Sequence, residues 1–550
     1  MMQAEELSRR VWDVVVIGAG MGGGTLAYAL ASAGQSVLVC EQGRSDLGRD
    51  RRFKGAYAES LFASPEIPQS KHSEILKESG RWWEEIDDIS DGTVRPFIPF
   101  VGSGAGGSTA LYGMALERFF ASDFAPGRNH PAARGAELPE VWPVSFETFL
   151  PYYAAAENLY GVRGGGDPPG CEASLGQRLA PPPLSGSSLE LFTFLGGKGL
   201  HPYQIPLACE HVPGCRGCQG YLCAKNCKQD SWQACLAPAI ARHRTQFLDD
   251  CRVVRLEASQ DTVQRAVCIR RGETIKLEAK VFVLAAGALA TPAILLRSTS
   301  AHWSHGLAND SGLVGRFLMR HFVDLYAVFA RHHTGGNGHA KQLALNDFYV
   351  HGGMKLGSLQ SFGDMPPPAT IVAGLLDDLR HGPLGRATAA VAVAQPALRW
   401  IMGRLFGRST VLASILEDLP YTDNRVALAT GSPDGGGDRL AIRYRLHEYD
   451  RERIRFFREL VAGALRPYRF MLIKQAENNQ LIAHVCGTCR FGDDPSRSVL
   501  DANNRAHSVS NLYVVDASFF PSSGGTNPAL TIAANALRVA EHLKEAPCLR

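Results

Sequence analysis

Val14-Val15-Val16-Ile17-Gly18-Ala19-Gly20-Met21-Gly22-Gly23 is the stretch on which the fold turns. Four consecutive β-branched residues suit a strand buried on both faces, and the glycines that follow at once make a tight turn. Thr25 to Ala33 reads as a helix of small apolar side chains, Gly34 closes it, and Ser36 to Cys40 returns as a second strand ending at Glu41. The result is a β-α-β unit with G-x-G-x-x-G at its first turn. In that setting Gly18 permits the turn, Gly20 lets a pyrophosphate approach the backbone at the helix N-terminus, and Gly23 lets helix and strand pack closely. Glu41 is placed to accept ribose hydroxyls and favours an adenosine ribose without a 2′-phosphate. The unit predicts a dinucleotide without separating NAD from FAD.

Outward from this unit the chain has 550 residues, 45% hydrophobic and 20% charged, and 57 Lys plus Arg against 54 Asp plus Glu leave a net charge of +3. This is an ordinary globular composition, enough for roughly three to five structural units. No basic run offers a footprint for nucleic acid, so none is expected as a partner, and small-molecule chemistry is favoured. The first residues, MMQAEELSRRVWD, lack the pattern of a secretory signal. The most apolar segment, Ala387 to Leu398, is bounded by Arg386 and Arg399 and broken by Pro396, short of the ~20 residues a membrane span needs. It reads as a buried or lid-like segment, with a basic interfacial helix as the alternative, since Arg399, Arg404 and Arg408 follow beside Trp400, Leu405 and Phe406. A cytoplasmic protein without a transmembrane segment is expected, its 13 cysteines mostly reduced.

Four further segments extend the pattern. They are Gly104-Ala-Gly-Gly-Ser-Thr-Ala-Leu-Tyr-Gly-Met114, Val283-Leu-Ala-Ala-Gly-Ala-Leu-Ala-Thr-Pro-Ala-Ile-Leu-Leu296, Gly315-Arg-Phe-Leu-Met-Arg-His321, and a C-terminal set. That set comprises His484-Val-Cys-Gly-Thr-Cys-Arg-Phe-Gly492, Leu512-Tyr-Val-Val-Asp-Ala-Ser518 and Gly525-Thr-Asn-Pro-Ala-Leu-Thr-Ile532. In this order they resemble the glucose-methanol-choline (GMC) oxidoreductases, FAD-dependent enzymes that oxidise alcohols, over nearly the whole chain. The resemblance implies an α/β fold, with a Rossmann-like FAD-binding domain and an α+β substrate domain carrying an antiparallel sheet. It implies cofactor contacts at Gly18, Gly20, Met21, Gly23, Glu41, Gly107, Ser108, Tyr112, Val254, Ala286, Asp516, Ala517, Asn527 and Pro528. Asp516, at the carboxyl end of a buried strand, reads on its own as either a helix cap or a cofactor contact, and the resemblance favours contact.

His484 and Asn527 occupy the family's catalytic positions. Alcohol oxidation removes a hydroxyl proton and delivers a hydride to flavin N5, so a neutral His484 is expected to accept the proton while the Asn527 amide holds the oxygen. Many family members bind FAD covalently through a histidine in the second glycine segment. Leu111 stands there in this chain, so dissociable FAD is expected. The next position, usually Asn, is Tyr112, which could stack or donate through its hydroxyl.

Cys209, Cys215, Cys218, Cys223, Cys227 and Cys235 crowd the loop 209–235, with Lys228 behind Cys227. Cys215, Cys218, Cys223 and Cys227 are candidate ligands for zinc or an iron-sulfur cluster, or a metal-free group of thiols or disulfides packed over the flavin. Some sugar dehydrogenases of the family carry a cluster at the spacing of Cys218, Cys223 and Cys227. Cys486 and Cys489 read as packing residues.

The expected domains alternate along the chain: FAD-binding segments 1–145, 205–315 and 480–550, and substrate segments 146–204 and 316–479. Glu417 to Val426 and Leu440 to Tyr444 read as strands of a sheet over the flavin, and Arg451 to Ala462 as an amphipathic helix outside it. An alcohol oxidase or dehydrogenase passing electrons to oxygen or another acceptor leads. The alternatives are an iron-sulfur sugar dehydrogenase feeding a cytochrome, a flavin-bound lyase of the same family, and an electron-transfer subunit. The cysteine loop with Lys228 looks most like the branch that oxidises a primary hydroxyl of a sugar-derived metabolite, including the 6′-hydroxyl oxidases of aminoglycoside antibiotic biosynthesis. For a cationic substrate Glu417, Asp418 and Asp423 are the candidate carboxylates.

Overall fold

A computed structural model describes residues 6, 8–47, 51–62, 67–165, 178–329, 341–363, 367–369, 371–372, 376, 391, 393–406, 409–429, 438–478 and 484–549. The strand Val11–Ile17 lies between two parallel neighbours, Val37–Cys40 and Glu273–Leu284, within a seven-stranded sheet. Thr245–Leu248 extends it beyond Val37–Cys40, and Leu512–Val514 pairs in parallel with the second half of Glu273–Leu284. The first half of that long strand instead runs antiparallel to Val263–Arg270, which pairs with Cys251–Ala258. Val14 and Val16 face a core with Leu26, Leu30 and Val539, while Trp12, Val15 and Ile17 face one with Phe149, Tyr153 and Leu284. The β-branched run is thus buried on both faces, as a parallel strand between helical layers must be. Gly18 has φ +108°, and a Cβ there would sit 2.3 Å from the Ala285 carbonyl oxygen. One on Gly23 would sit 2.1 Å from the oxygen of Gly18, so both serve the close packing of turn, helix and strand.

A second seven-stranded sheet is antiparallel throughout, in the order Arg469–Lys474, Phe322–Phe329, Thr410–Leu416, Gly357–Ser361, Leu343–Leu345, Tyr203–Leu207 and Arg163–Gly165. The helix Glu448–Leu465 buries Ile454, Phe457, Val461 and Leu465 against Phe322, Tyr326, Val328, Leu412 and Leu416. Their spacing of three to four residues makes one stripe, each member contributing ~1.5–3 kcal/mol by burial.

The structure differs from the sequence reading in two places. Residues 417–424 are not a strand: the strand is Thr410–Leu416, and 417–424 turn away from its end. Arg425–Ala429 and Arg439–Arg443 instead join Ile86–Asp88 and Arg95–Phe97 in a four-stranded sheet, which shares a core with Ala288, Leu289 and Ala293 of the helix Gly287–Arg297. The helix Phe146–Leu159, grouped by sequence with the substrate segments, packs in the first core, where the Tyr153 hydroxyl meets Thr531 Oγ1 at 2.8 Å. Of Ala387 to Leu398, residues 387–390 and 392 lie outside the described residues; the remainder runs into the helix Gln395–Phe406, with Trp400 exposed. Among the described residues no helix is long and apolar enough to cross a membrane.

Candidate active site

Val11–Ile17, Glu273–Leu284 and Leu512–Val514 end side by side, and the helices Met21–Ser32 and Gly287–Arg297 start at those ends. Gly20, before the first helix, provides no side-chain cap, and a Cβ there would meet nothing within 4 Å. The first-turn N–H groups have no helical acceptors and the space at Gly20 is open, the arrangement that receives a pyrophosphate. Gly107 of the second glycine segment meets this loop: a Cβ on it would lie 2.7 Å from the Gly20 Cα. Ser108 is exposed beside it, and its Oγ accepts a hydrogen bond from the Gly102 amide. Met21 is buried, Ala286 and Ala517 are half-buried at their strand ends, and Pro528 starts the helix Ala529–Glu545, again without a side-chain cap. Val254 is half-buried at an irregularity in Cys251–Ala258, a strand that begins with the Cys251 amide bonded to the Glu41 carbonyl.

The two acids expected at the cofactor also hold the protein together. Glu41 accepts the amides of Ala19, Gly43 and Gly104, each at 2.9 Å, and so ties the first glycine loop to the second. Its Oε2 takes only the Ala19 amide and keeps capacity for a ribose hydroxyl. Asp516 accepts from the Gly287 and Ser518 amides and from the hydroxyls of Thr291 and Ser518. These bonds make Asp516 a helix cap at Ala517–Phe519 and tie it to the start of the helix Gly287–Arg297. Tyr112 likewise directs its hydroxyl to the Gln229 carbonyl, leaving only its half-buried ring toward the site. Leu111 is packed with Phe53, Ala110 and Leu222 and has no atom for a covalent flavin bond.

His484 stands in the left-handed region, φ 59°, uncommon for a side chain of this size and worth ~1–3 kcal/mol of strain. Its Nδ1 lies 2.9 Å from Nδ1 of His321. His321 Nε2 lies 3.0 and 3.2 Å from the carbonyl oxygens of Gly524 and Ser523, which can only accept, so that nitrogen carries the proton. Burial pushes the His321 pKa down to about 4, so the ring is neutral and its Nδ1 is bare. His484 must then donate from Nδ1, which leaves its Nε2 unprotonated. Burial, then the His321 ring and Lys341, hold His484 well below the ordinary imidazole value. Together these place a neutral base with a fixed tautomer at a half-buried position.

Asn527 is held by a different device. Its Nδ2 donates to Gln360 Oε1 at 2.9 Å, Gln360 Nε2 donates to Glu117 Oε2 at 2.6 Å, and Thr526 Oγ1 donates to the same oxygen at 2.7 Å. Tyr203 donates to the other Glu117 oxygen. One amide hydrogen of Asn527 is thus anchored, and its second is the donor it can offer to a substrate oxygen. Both supports converge on one segment, since His321 grips Ser523 and Gly524 while the Gly525 amide donates to Tyr349 Oη at 2.8 Å. His321, Gln360 and Glu117 were not identified from sequence. His321 closes a quoted segment, but nothing near Gln360 or Glu117 marks them.

The three candidate carboxylates for a cationic substrate are engaged elsewhere. Glu417 is fully buried, paired with Lys355 at 2.8 Å and with His130 at 2.8 Å, and Lys355 also pairs with Asp123 at 2.6 Å. Burial alone would raise the Glu417 carboxyl, but Lys355 and His130 hold it well below the carboxylate range. Asp418, also fully buried, accepts the amides of Arg320 and Leu419 and the Tyr444 hydroxyl. These two are therefore corrected from substrate ligands to internal supports. Asp423 is 40% exposed and lies 3.1 Å from His447.

The cysteine loop packs on the second glycine segment: Lys228 Nζ donates to the carbonyls of Ala110 and Tyr221, and Ser231 Oγ donates to that of Ala19. Its thiols are in direct contact, with Cys215 and Cys227 3.3 Å apart, Cys223 and Cys227 3.5 Å apart, and Cys218 packed beside Cys223. Cys486 and Cys489 are buried in the first core.

Comparison with known proteins agrees with this architecture. Residues 204–323 and 420–536 match profiles described as GMC oxidoreductase, and residues 13–145 match one described as FAD dependent oxidoreductase. A 6'''-hydroxyparomomycin C oxidase of Streptomyces lividus is 31% identical, over 97% of this chain and 92% of its own. A paromamine 6'-oxidase of Streptomyces fradiae is 30% identical, over 97% and 91%. The crystal structure of pyridoxine 4-oxidase from Mesorbium loti shares the fold, with a TM-score of 0.61 and 20% identity over 96% of this chain and 99% of that one. Sheet topology, glycine cradle and full-length similarity agree: the chain belongs to the GMC oxidoreductase family, FAD-dependent enzymes that oxidise alcohols.

Proposed function

We propose that this enzyme oxidises a primary hydroxyl of a sugar or amino-sugar metabolite to the carbonyl, within aminoglycoside antibiotic biosynthesis. The carrying observation is the His321–His484 contact, which leaves His484 Nε2 as a neutral proton acceptor in a fixed orientation. In this reading His484 Nε2 takes the hydroxyl proton, and the free amide hydrogen of Asn527 donates to the same oxygen as negative charge develops on it. FAD, when bound in the glycine cradle, supplies the hydride acceptor. The 30–31% identity to oxidases whose names specify paromamine and hydroxyparomomycin supports an amino-sugar substrate. With Glu417 and Asp418 internal, Asp423 is the remaining one of the three named carboxylates for substrate amines. Electrons pass on to oxygen or a soluble acceptor, and the twelve described cysteines, all free thiols, accord with a cytoplasmic enzyme.

Anaerobic stopped-flow reduction of the bound flavin by paromamine, glucose and a long-chain alcohol, at low and high salt, tests the assignment. Paromamine should reduce the flavin fastest, and its advantage should shrink as salt screens the amines. Fastest reduction by the uncharged aliphatic alcohol, with no salt effect, would overturn the substrate class. Turnover that never bleaches the flavin would overturn oxidation itself.

A further inference from the structure

We propose that Cys209, His211 and Cys215, joined by a rotation of the neighbouring Cys227 side chain, bind one structural zinc ion that clamps the cysteine loop onto the second glycine segment. The Cys215 thiol stands between two others, 3.6 Å from Cys209 and 3.3 Å from Cys227. His211 brings an imidazole nitrogen within 4.8 Å of both the Cys209 and Cys215 sulfurs, and its Nε2 is buried without a hydrogen-bond partner. Cys209, Cys215 and Cys227 are 0, 4 and 2% exposed, so water does not compensate them.

The spacing selects among the possible states. At 3.3–3.6 Å the sulfurs are too far apart for disulfide bonds, which need ~2.05 Å. Tetrahedral zinc, with Zn–S bonds of ~2.3 Å, holds its thiolates roughly 3.8 Å apart, close to the Cys209–Cys215 separation of 3.6 Å. The Gly217 amide approaches the Cys215 sulfur at 3.5 Å, the outer hydrogen bond that stabilises a metal-bound thiolate. His211 has φ 50°, an unfavourable backbone conformation that a ligating role accounts for. Three thiolates and a neutral imidazole around Zn²⁺ carry one net negative charge. The buried Lys228, bridged to Cys209 through the backbone, lies beside them to offset it. Binding requires no redox partner: three thiol protons leave and four metal bonds form. Since Lys228, Gln229 and Ser231 hold Ala110, Tyr112 and Ala19, loss of the ion should loosen the cradle as well as the loop.

The test is metal analysis of the FAD-loaded enzyme purified under reducing conditions with zinc in the medium. One zinc per chain is expected, and substitution by Co²⁺ should give the visible bands of a tetrahedral cobalt-thiolate site. His211→Ala should weaken zinc binding at least tenfold in competition with a chromophoric chelator and release FAD more readily, whereas His211→Cys should restore zinc. Cys218→Ser should keep the ion. So should Cys251→Ala, which disrupts the other close thiol group, Cys40, Cys251 and Cys268. Zinc-free wild-type protein, iron with acid-labile sulfide in its place, or full zinc affinity in His211→Ala would each overturn the assignment. Loss of zinc in Cys218→Ser or Cys251→Ala would overturn the ligand set.

Discussion

The cofactor end and the substrate end of this active site are built from opposite materials. At the cofactor end, backbone does the work: Gly20 leaves open space before the helix Met21–Ser32, and Gly107 abuts it from the second segment. At the substrate end two chains of buried polar side chains aim single atoms, one through His321 to His484 and one through Glu117 and Gln360 to Asn527. A backbone cradle needs only short local segments, whereas a polar chain needs partners delivered by distant strands. The two ends should therefore fail differently when changed, the first in cofactor affinity and the second in rate.

The largest separation is expected at His484. His484→Ala removes the proton acceptor while touching none of the cradle, so anaerobic flavin reduction should fall by about 10²- to 10⁴-fold with FAD content unchanged. Loss of FAD together with rate would show that the two ends are not separable at this residue.

Lys355 sharpens the contrast from beneath the substrate end. It pairs with both Asp123 and Glu417, all three side chains fully buried, and Asp123 in turn accepts from Tyr349, which holds Gly525. Lys355→Met leaves two buried carboxylates without their cation, and unfolding free energy should drop by about 3–5 kcal/mol in denaturant titration. The sign with pH follows from Glu417, whose depressed pKa stabilises the fold above the carboxylate range and is lost as pH falls through it. The deficit of the variant should thus be greatest near neutrality and shrink in acid. A deficit independent of pH would assign it to packing.

His321 is a smaller and more specific test. Both imidazoles are pushed below their ordinary 6.5, His321 to about 4, so the pair stays neutral as pH falls through 6.5 and flavin reduction should remain on its plateau there. His321→Leu removes the acceptor that fixes the His484 tautomer, and a loss of about 10- to 100-fold is expected. It also removes one of the groups that depress His484, so the acid limb should move upward in pH. An unchanged limb would leave His321 as packing only.

The same contrast explains what could be read from the chain. The β-α-β unit, the glycine segments, the strand Leu512–Val514 and the helix Glu448–Leu465 are local patterns with a period, and each is found where its residues predict. The polar supports are not: Glu117, Tyr203, Gln360 and Thr526 meet across more than 80 positions, and each is a single polar residue in an otherwise unremarkable stretch. Glu417 and Asp418 misled for a related reason. Read as the start of a strand over the flavin, the two acids stand as site carboxylates until Lys355, from another strand end, is seen to pair with one of them in the interior. Asp516 reads two ways on sequence alone, because a strand-end acid beside a helix start suits a cap and a ligand contact equally, and the donors at Gly287 and Ser518 show the cap.

The subtlest effect is expected within the cradle, between neighbouring glycines. A Cβ on Gly23 would meet the Gly18 oxygen at 2.1 Å, so Gly23→Ala must move backbone and should destabilise the apoprotein. A Cβ on Gly20 meets no protein atom within 4 Å, so Gly20→Ala should leave apoprotein stability within about 0.5 kcal/mol of wild type. The methyl would stand where the pyrophosphate approaches the helix N-terminus, and FAD affinity should weaken by about tenfold. Thermal unfolding of apoprotein alongside FAD titration measures both quantities on the same sample. An apoprotein destabilised by Gly20→Ala would show that this glycine serves the fold, and unchanged FAD affinity would move the pyrophosphate away from this turn.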